Sequence, residues 1–101
     1  VKKTGIYMYG GERWRVNNNV FFFVGDDTGS PQIKVGGNSS LPTKYFTVTG
    51  NVCVGNSKVG EISVAETTGV GVVTGNVANV TGSTSNIIKA NNVDQNNGNR
   101  N

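Results

Sequence analysis

The sequence predicts an all-β chain: a small antiparallel β-sandwich or barrel of about eight short strands, with a β-solenoid or fibre-like trimer as the alternative. Three observations carry this expectation. The 101 residues hold 16 Val, 15 Gly, 15 Asn and 10 Thr against one Leu and three Ala; Val and Thr suit a pleated surface, whereas Leu and Ala favour helices. Valine alternates with small polar residues in Asn51-Val52-Cys53-Val54-Gly55 and Gly69-Val70-Gly71-Val72, the period of two that sends strand side chains to opposite faces. Turn residues recur at roughly eight to twelve positions, the spacing of a sandwich or barrel.

One pentapeptide occurs twice, as Val48-Thr49-Gly50-Asn51-Val52 and as Val73-Thr74-Gly75-Asn76-Val77. Two copies could mark equivalent turns of a solenoid or two similar strand corners. A stacked array needs about three or more repeats to bury a continuous core, so similar hairpin corners, or a chance match in a chain this rich in Val, Thr, Gly and Asn, are the favoured reading.

In chain order, Ile6 to Tyr9 and Glu12 to Val16 flank Gly10-Gly11, where two residues free to take positive φ predict a hairpin. Its pairing would set Tyr9 opposite Glu12 and Tyr7 opposite Trp14. Tyr7, Tyr9 and Trp14 would then share one face, and Ile6, Met8, Arg13 and Arg15 the other. Asn17-Asn18-Asn19 predicts a turn. Val20-Phe21-Phe22-Phe23-Val24 is apolar on both faces and predicts a central strand or one covered by a neighbouring subunit. After the loop from Gly25 to Pro31 comes a short strand over 32–35, then a loop over 36–42. Lys44 to Thr49 alternates with Phe46 and Val48 on one face and Tyr45, Thr47 and Thr49 on the other; Gly50 interrupts it. Further strands are expected at 51–54, 58–65, 70–74, 77–80 and 86–90. Residues 1–90 form one domain, and 91–101, polar and Asn-rich, a C-terminal arm with almost nothing to bury.

Composition also bounds function. Only 15% of residues are charged, with a net charge of +3 and a pI of about 9.3, well below the quarter or so usual for soluble domains. Such a surface suits packing against copies of itself or exposure outside a cell. No histidine is present, which excludes imidazole triads and imidazole metal sites. The carboxylates are Glu12, Asp26, Asp27, Glu61, Glu66 and Asp94. A facing pair such as Glu12 and Glu61 would be needed for glycoside hydrolysis, but solvated strand and turn charges are the simpler reading. Asp26-Asp27-Thr28-Gly29 lacks the alternating acids of a calcium loop, so no metal and no cofactor is expected. Cys53 is alone, so it reads as a small buried hydrophobe. The longest apolar run, 20–24, is far too short to span a membrane. Asn38-Ser39-Ser40 and Asn79-Val80-Thr81 match the glycosylation pattern, as they will in so Asn-rich a chain.

The Val/Gly/Asn/Thr texture resembles that of phage capsid-decoration, fibre and extracellular-filament subunits; the resemblance is compositional and carries over no residue. Together these readings point to a non-enzymatic structural subunit on a virion or extracellular surface. It would be a homo-oligomer or part of a larger assembly, with Phe21 and Phe23 in the interface core and Asn91, Asn92 and Val93 beginning a docking arm. The alternative is a carbohydrate-binding or adhesin module using Tyr7, Tyr9 and Trp14, with Arg13 and Arg15 beside them for anionic groups. Core or interface burial of those aromatics is the favoured expectation, and nucleic-acid binding the least supported.

Overall fold

The computed structural model describes residues 5–22, 31–38, 40–54, 61–65, 69–82, 86–94 and 98. The described chain is all-β and winds in four passes. The first runs through β1 (Ile6–Met8), β2 (Gly11–Glu12), β3 (Arg15–Asn17) and β4 (Val20–Phe22). The second comprises β5 (Ile33–Val35), β6 (Gly37–Asn38), β7 (Leu41–Lys44), β8 (Phe46–Thr49) and β9 (Val52–Val54). The third holds β10 (Glu61–Val64) and β11 (Gly71–Thr74), and the fourth β12 (Asn79–Gly82) and β13 (Ile87–Ala90).

Each strand pairs with its counterpart in the next pass, not with its neighbour in sequence. One sheet has the order β1-β5-β10-β12 and another β3-β8-β11-β13, while β2 pairs with β7 and β4 with β9. All of these pairings are parallel; among the described strands only β6 and β7 run antiparallel. The antiparallel sandwich or barrel is therefore corrected to a stacked parallel coil, a solenoid in which each pass covers the one before it. Gly10 and Gly11 do take positive φ, 86° and 90°, but they turn a corner. β1 and β2 lie in different sheets, so the expected Tyr9–Glu12 and Tyr7–Trp14 hairpin pairs do not form.

Inward columns of like residues fill the coil. Ile6, Ile33, Ile62 and Val80 stack in register, as do Met8, Val35 and Val64 on one side and Val16, Val48 and Val73 on another. Among the described residues Phe46 is the largest side chain wholly inside. It fits because its stacked partner is Gly71, where any Cβ would collide with the Phe46 ring. Such an interior is narrow and suits β-branched residues. Of the run from Val20, expected to be a central strand or one covered by a neighbouring subunit, the described residues Val20–Phe22 lie at a sheet edge and not at a centre: among the described strands β4 pairs only with β9, and Val20 is 72% exposed.

The repeated pentapeptide is the corner that closes each pass. Val16-Asn17-Asn18-Asn19-Val20 and Lys89-Ala90-Asn91-Asn92-Val93 occupy the same place as the two copies visible in sequence. At each corner the middle residue is left-handed: Asn18 at φ 61°, Gly50 at 69°, Gly75 at 69° and Asn91 at 60°. The residue after it is the asparagine of a ladder. The Asn19 main-chain N–H and carboxamide both donate to Asn51 Oδ1, at 2.9 and 3.1 Å. Asn51 donates in the same way to Asn76 Oδ1 at 2.9 and 3.0 Å, and Asn76 to Asn92 Oδ1 at 3.0 and 2.8 Å. Each lower carboxamide also donates to a core strand of the preceding pass: Asn51 to the Val16 carbonyl, Asn76 to Val48 and Asn92 to Val73. Residues 91–94 therefore continue the coil. Asn92 is wholly buried and Asp94 nearly so, so the coil extends past position 90, where the polar arm was expected to begin.

Asn76→Ala removes the acceptor of two Asn51 donors and the carboxamide that donates to Asn92 Oδ1 and to the Val48 carbonyl, while its main-chain N–H still reaches Asn92; each stranded buried group costs about 1–3 kcal/mol. We expect a loss of about 3 kcal/mol or more in urea-monitored unfolding, against under about 1 kcal/mol for the half-buried neighbour Thr74→Ala. At Gly75 nothing lies within 4 Å of a built Cβ, so only backbone conformation is at stake. Gly75→Asn should be close to neutral and Gly75→Val should cost about 1–2 kcal/mol in the same assay.

Candidate functional site

The largest apolar side chains that the core leaves out gather on the outside of the first two passes. In β1, Met8 points inward and Tyr7 outward; Tyr7 and Tyr9 are both about half exposed, and Trp14 is 38% exposed. Of the expectation that these aromatics lie in the core or at a subunit interface, the core half is thus overturned. The stacked interior is already filled by Ile, Val, Met8 and Phe46, and the corner after β2 throws the indole outward.

The rings are nonetheless held. The Trp14 indole N–H donates to the Gly10 carbonyl at 2.9 Å. The Gly10 N–H donates to Thr43 Oγ1 at 2.8 Å, and that buried hydroxyl donates to the Met8 carbonyl at 3.0 Å. One threonine of the second pass therefore fixes the corner carrying Tyr9 and Trp14. Tyr7 and Tyr9 meet edge to face, with ring centroids 5.4 Å apart and planes at 74°, a favoured aromatic geometry. Lys34, the register partner of Tyr7, sets its ammonium 5.2 Å from the Tyr7 ring centre.

The band continues past Glu12. Arg13 Nη2 and Lys44 Nζ each lie 3.9 Å from a Glu12 carboxylate oxygen, and all three side chains are solvated enough for these pairs to contribute little to stability. Lys44 Nζ also stands 5.4 Å from the centre of the Tyr45 ring. Tyr45 and Arg13 both have positive φ, 56° and 67°, and the Arg13 N–H donates to the Lys44 carbonyl. Thus a common kink in successive passes projects both side chains outward. Arg15 follows on the outer face of β3.

The structure brings Tyr7, Tyr9, Trp14 and Arg13 into this band, though not as one face of a hairpin. Lys34, Lys44 and Tyr45 belong to it as well and were not singled out as ligand-binding residues. The outward phase of Tyr45 was legible in the alternation from Lys44 to Thr49; its place level with the Arg13 kink depends on stacking of the passes. Phe21 is half-buried against the core, while Phe23 lies outside the described residues, as do Asp26 to Gly29. Asn91 is exposed at its corner, Asn92 is buried in the ladder, and the Val93 N–H donates to the Asn76 carbonyl. Glu12 and Glu61 sit in different sheets, and Glu61 accepts from Thr81 Oγ1 at 3.3 Å. Among the described residues no three His, Cys, Asp or Glu gather as metal ligands, and no helix is long and apolar enough to cross a membrane. Comparison with family models, with curated proteins and with solved structures finds no match.

Cys53 is fully buried, stacked between Phe21 and the Ala78 corner. Burial pushes its thiol from 9.0 up to about 12, because a thiolate there would be desolvated. At pH 8 the native protein should react with a thiol reagent far more slowly than the unfolded chain. The raised value also sets a sign. Between pH 9 and about 12 the native thiol keeps a proton that the unfolded one has lost, so stability falls as pH rises, by about 1.4 kcal/mol per unit from this group. Cys53→Val should lack that component in alkaline unfolding curves.

Proposed function

We propose that the chain is a non-enzymatic structural module of a virion decoration, fibre or extracellular filament, and that it works by stacking against copies of itself. The observation that carries this reading is the parallel coil with its end strands. β1, β3 and β4 lie at one end of their sheets, and β12 and β13 at the other end of theirs. A parallel sheet repeats one hydrogen-bonding direction from strand to strand, so the trailing edge of one copy complements the leading edge of the next. That contact is head to tail, and it builds a filament or closed ring according to the rotation between copies. Val20 supports the reading: it is a largely exposed valine on an end strand, in a position where isolated proteins favour lysine or proline to discourage strand addition.

The wild-type chain should self-associate as concentration rises through the micromolar range, measured by sedimentation velocity and light scattering. Val20→Lys, which changes only an exposed side chain, should weaken association about tenfold, roughly 1.4 kcal/mol. A single monomeric species of unchanged mass up to hundreds of micromolar would overturn the proposal.

A further inference from the structure

We infer that the outer aromatic band is a binding site for an acidic polysaccharide chain, a role separate from coil stacking because the band lies on the side of the first two passes. Its composition argues against a merely solvated surface. Tyr7, Tyr9, Trp14 and Tyr45 contribute nothing to the buried core, yet hydrogen bonds, ring contacts and cation contacts hold their positions. Ordered rings standing out of a fold that does not need them bind at low conformational cost.

The chemistry of the partner follows from what the rings offer. The Trp14 N–H is already committed to the Gly10 carbonyl, so the exposed remainder of the indole is hydrocarbon. It calls for a partner with apolar C–H faces, such as a pyranose ring. Tyr7 and Tyr9 stand at 74° to one another and so form no parallel slot for a nucleic-acid base. The charge around the rings selects an anion: Arg13, Arg15, Lys34 and Lys44 face a single carboxylate among the described residues of the band, Glu12, which is 3.9 Å from two of them. Carboxylates spaced along a sugar chain would meet these cations while successive rings lie on the aromatics. The band passes from the sheet of β1 over that of β2 to the edge of the sheet of β3, so the ligand follows it around the coil as a polymer.

The test is titration of the full chain, followed by Trp14 fluorescence and calorimetry, with carboxymethylcellulose, with uncharged hydroxyethylcellulose and with poly(dT). Carboxymethylcellulose should give a saturable signal that weakens with salt and is at least tenfold tighter than the uncharged polymer. Trp14→Ala should lower the calorimetric affinity at least tenfold. Because Trp14 is bonded to the corner, Tyr9→Ser serves as a second variant at an exposed ring, with circular dichroism as the check on folding, and should weaken binding at least threefold. Absence of saturable binding at low salt, equal affinity for the two celluloses, wild-type affinity in both variants or tighter binding of poly(dT) would each overturn the inference.

Discussion

The asparagine ladder is the constraint on which the rest of the coil depends. A parallel winding must reverse direction at each corner while leaving no buried N–H or C=O without a partner. A carboxamide meets that demand because it carries an acceptor and two donors on one short side chain. Asn51 and Asn76 each accept two hydrogen bonds from the asparagine above, donate to the one below and reach back to a core carbonyl. Once these positions are stacked, register is fixed. Val16, Val48 and Val73 lie three residues before the ladder positions and must share a column, and the outward residues between them are fixed as well. The residue before each asparagine must be left-handed, which restricts it to glycine or asparagine at little strain. A five-residue motif thus specifies the corner, and the ladder turns that local rule into long-range order.

This arrangement also explains what the sequence could and could not disclose. All-β character, the inward phase of Phe46 and Val48, the break at Gly50 and the burial of Cys53 were legible because they follow from local pattern. The direction of strand pairing was not. Parallel sheets are usually covered on both faces and read as continuous apolar runs, whereas alternation of apolar and polar residues normally marks a sheet with one wet face. A solenoid wets the outer face of every parallel strand, so its alternation imitates an antiparallel one. The repeat was hidden twice over. Asn18 and Asn91 replace glycine at the left-handed position, and the ladder residues lie 32, 25 and then 16 apart, so no constant period exists. The sequence signal that would have revealed it is the pair Asn-Val preceded by Gly or Asn, present four times.

The candidate site was legible as a set of residues and illegible as a place. Tyr7, Tyr9 and Trp14 stood out because the chain has few other large apolar side chains, and the usual rule assigns such residues to the core of a small domain. That rule assumes a core thick enough to hold them. Here the interior is a narrow stack whose columns accept Ile, Val and Met8 in register, and among the described residues the one fully buried phenylalanine, Phe46, fits where Gly71 makes room. A tryptophan inside would force a vacancy in the pass below it.

The two functional readings consequently draw on different physics and different parts of the molecule. Stacking of copies would use main-chain edges at the coil ends, where geometry is set by strand direction and side-chain identity matters little. Polysaccharide binding would use side chains on the flank of the first two passes, fixed by Thr43 and by the Gly10–Trp14 hydrogen bond. The ladder couples the two only through rigidity: it holds successive passes at constant spacing, so a band built across passes keeps its ring positions. A head-to-tail assembly would then repeat the band along its side. Many weak sites on one rigid support would hold a polymer far more tightly than any single copy, provided that the repeat of the support and the reach of the polymer match.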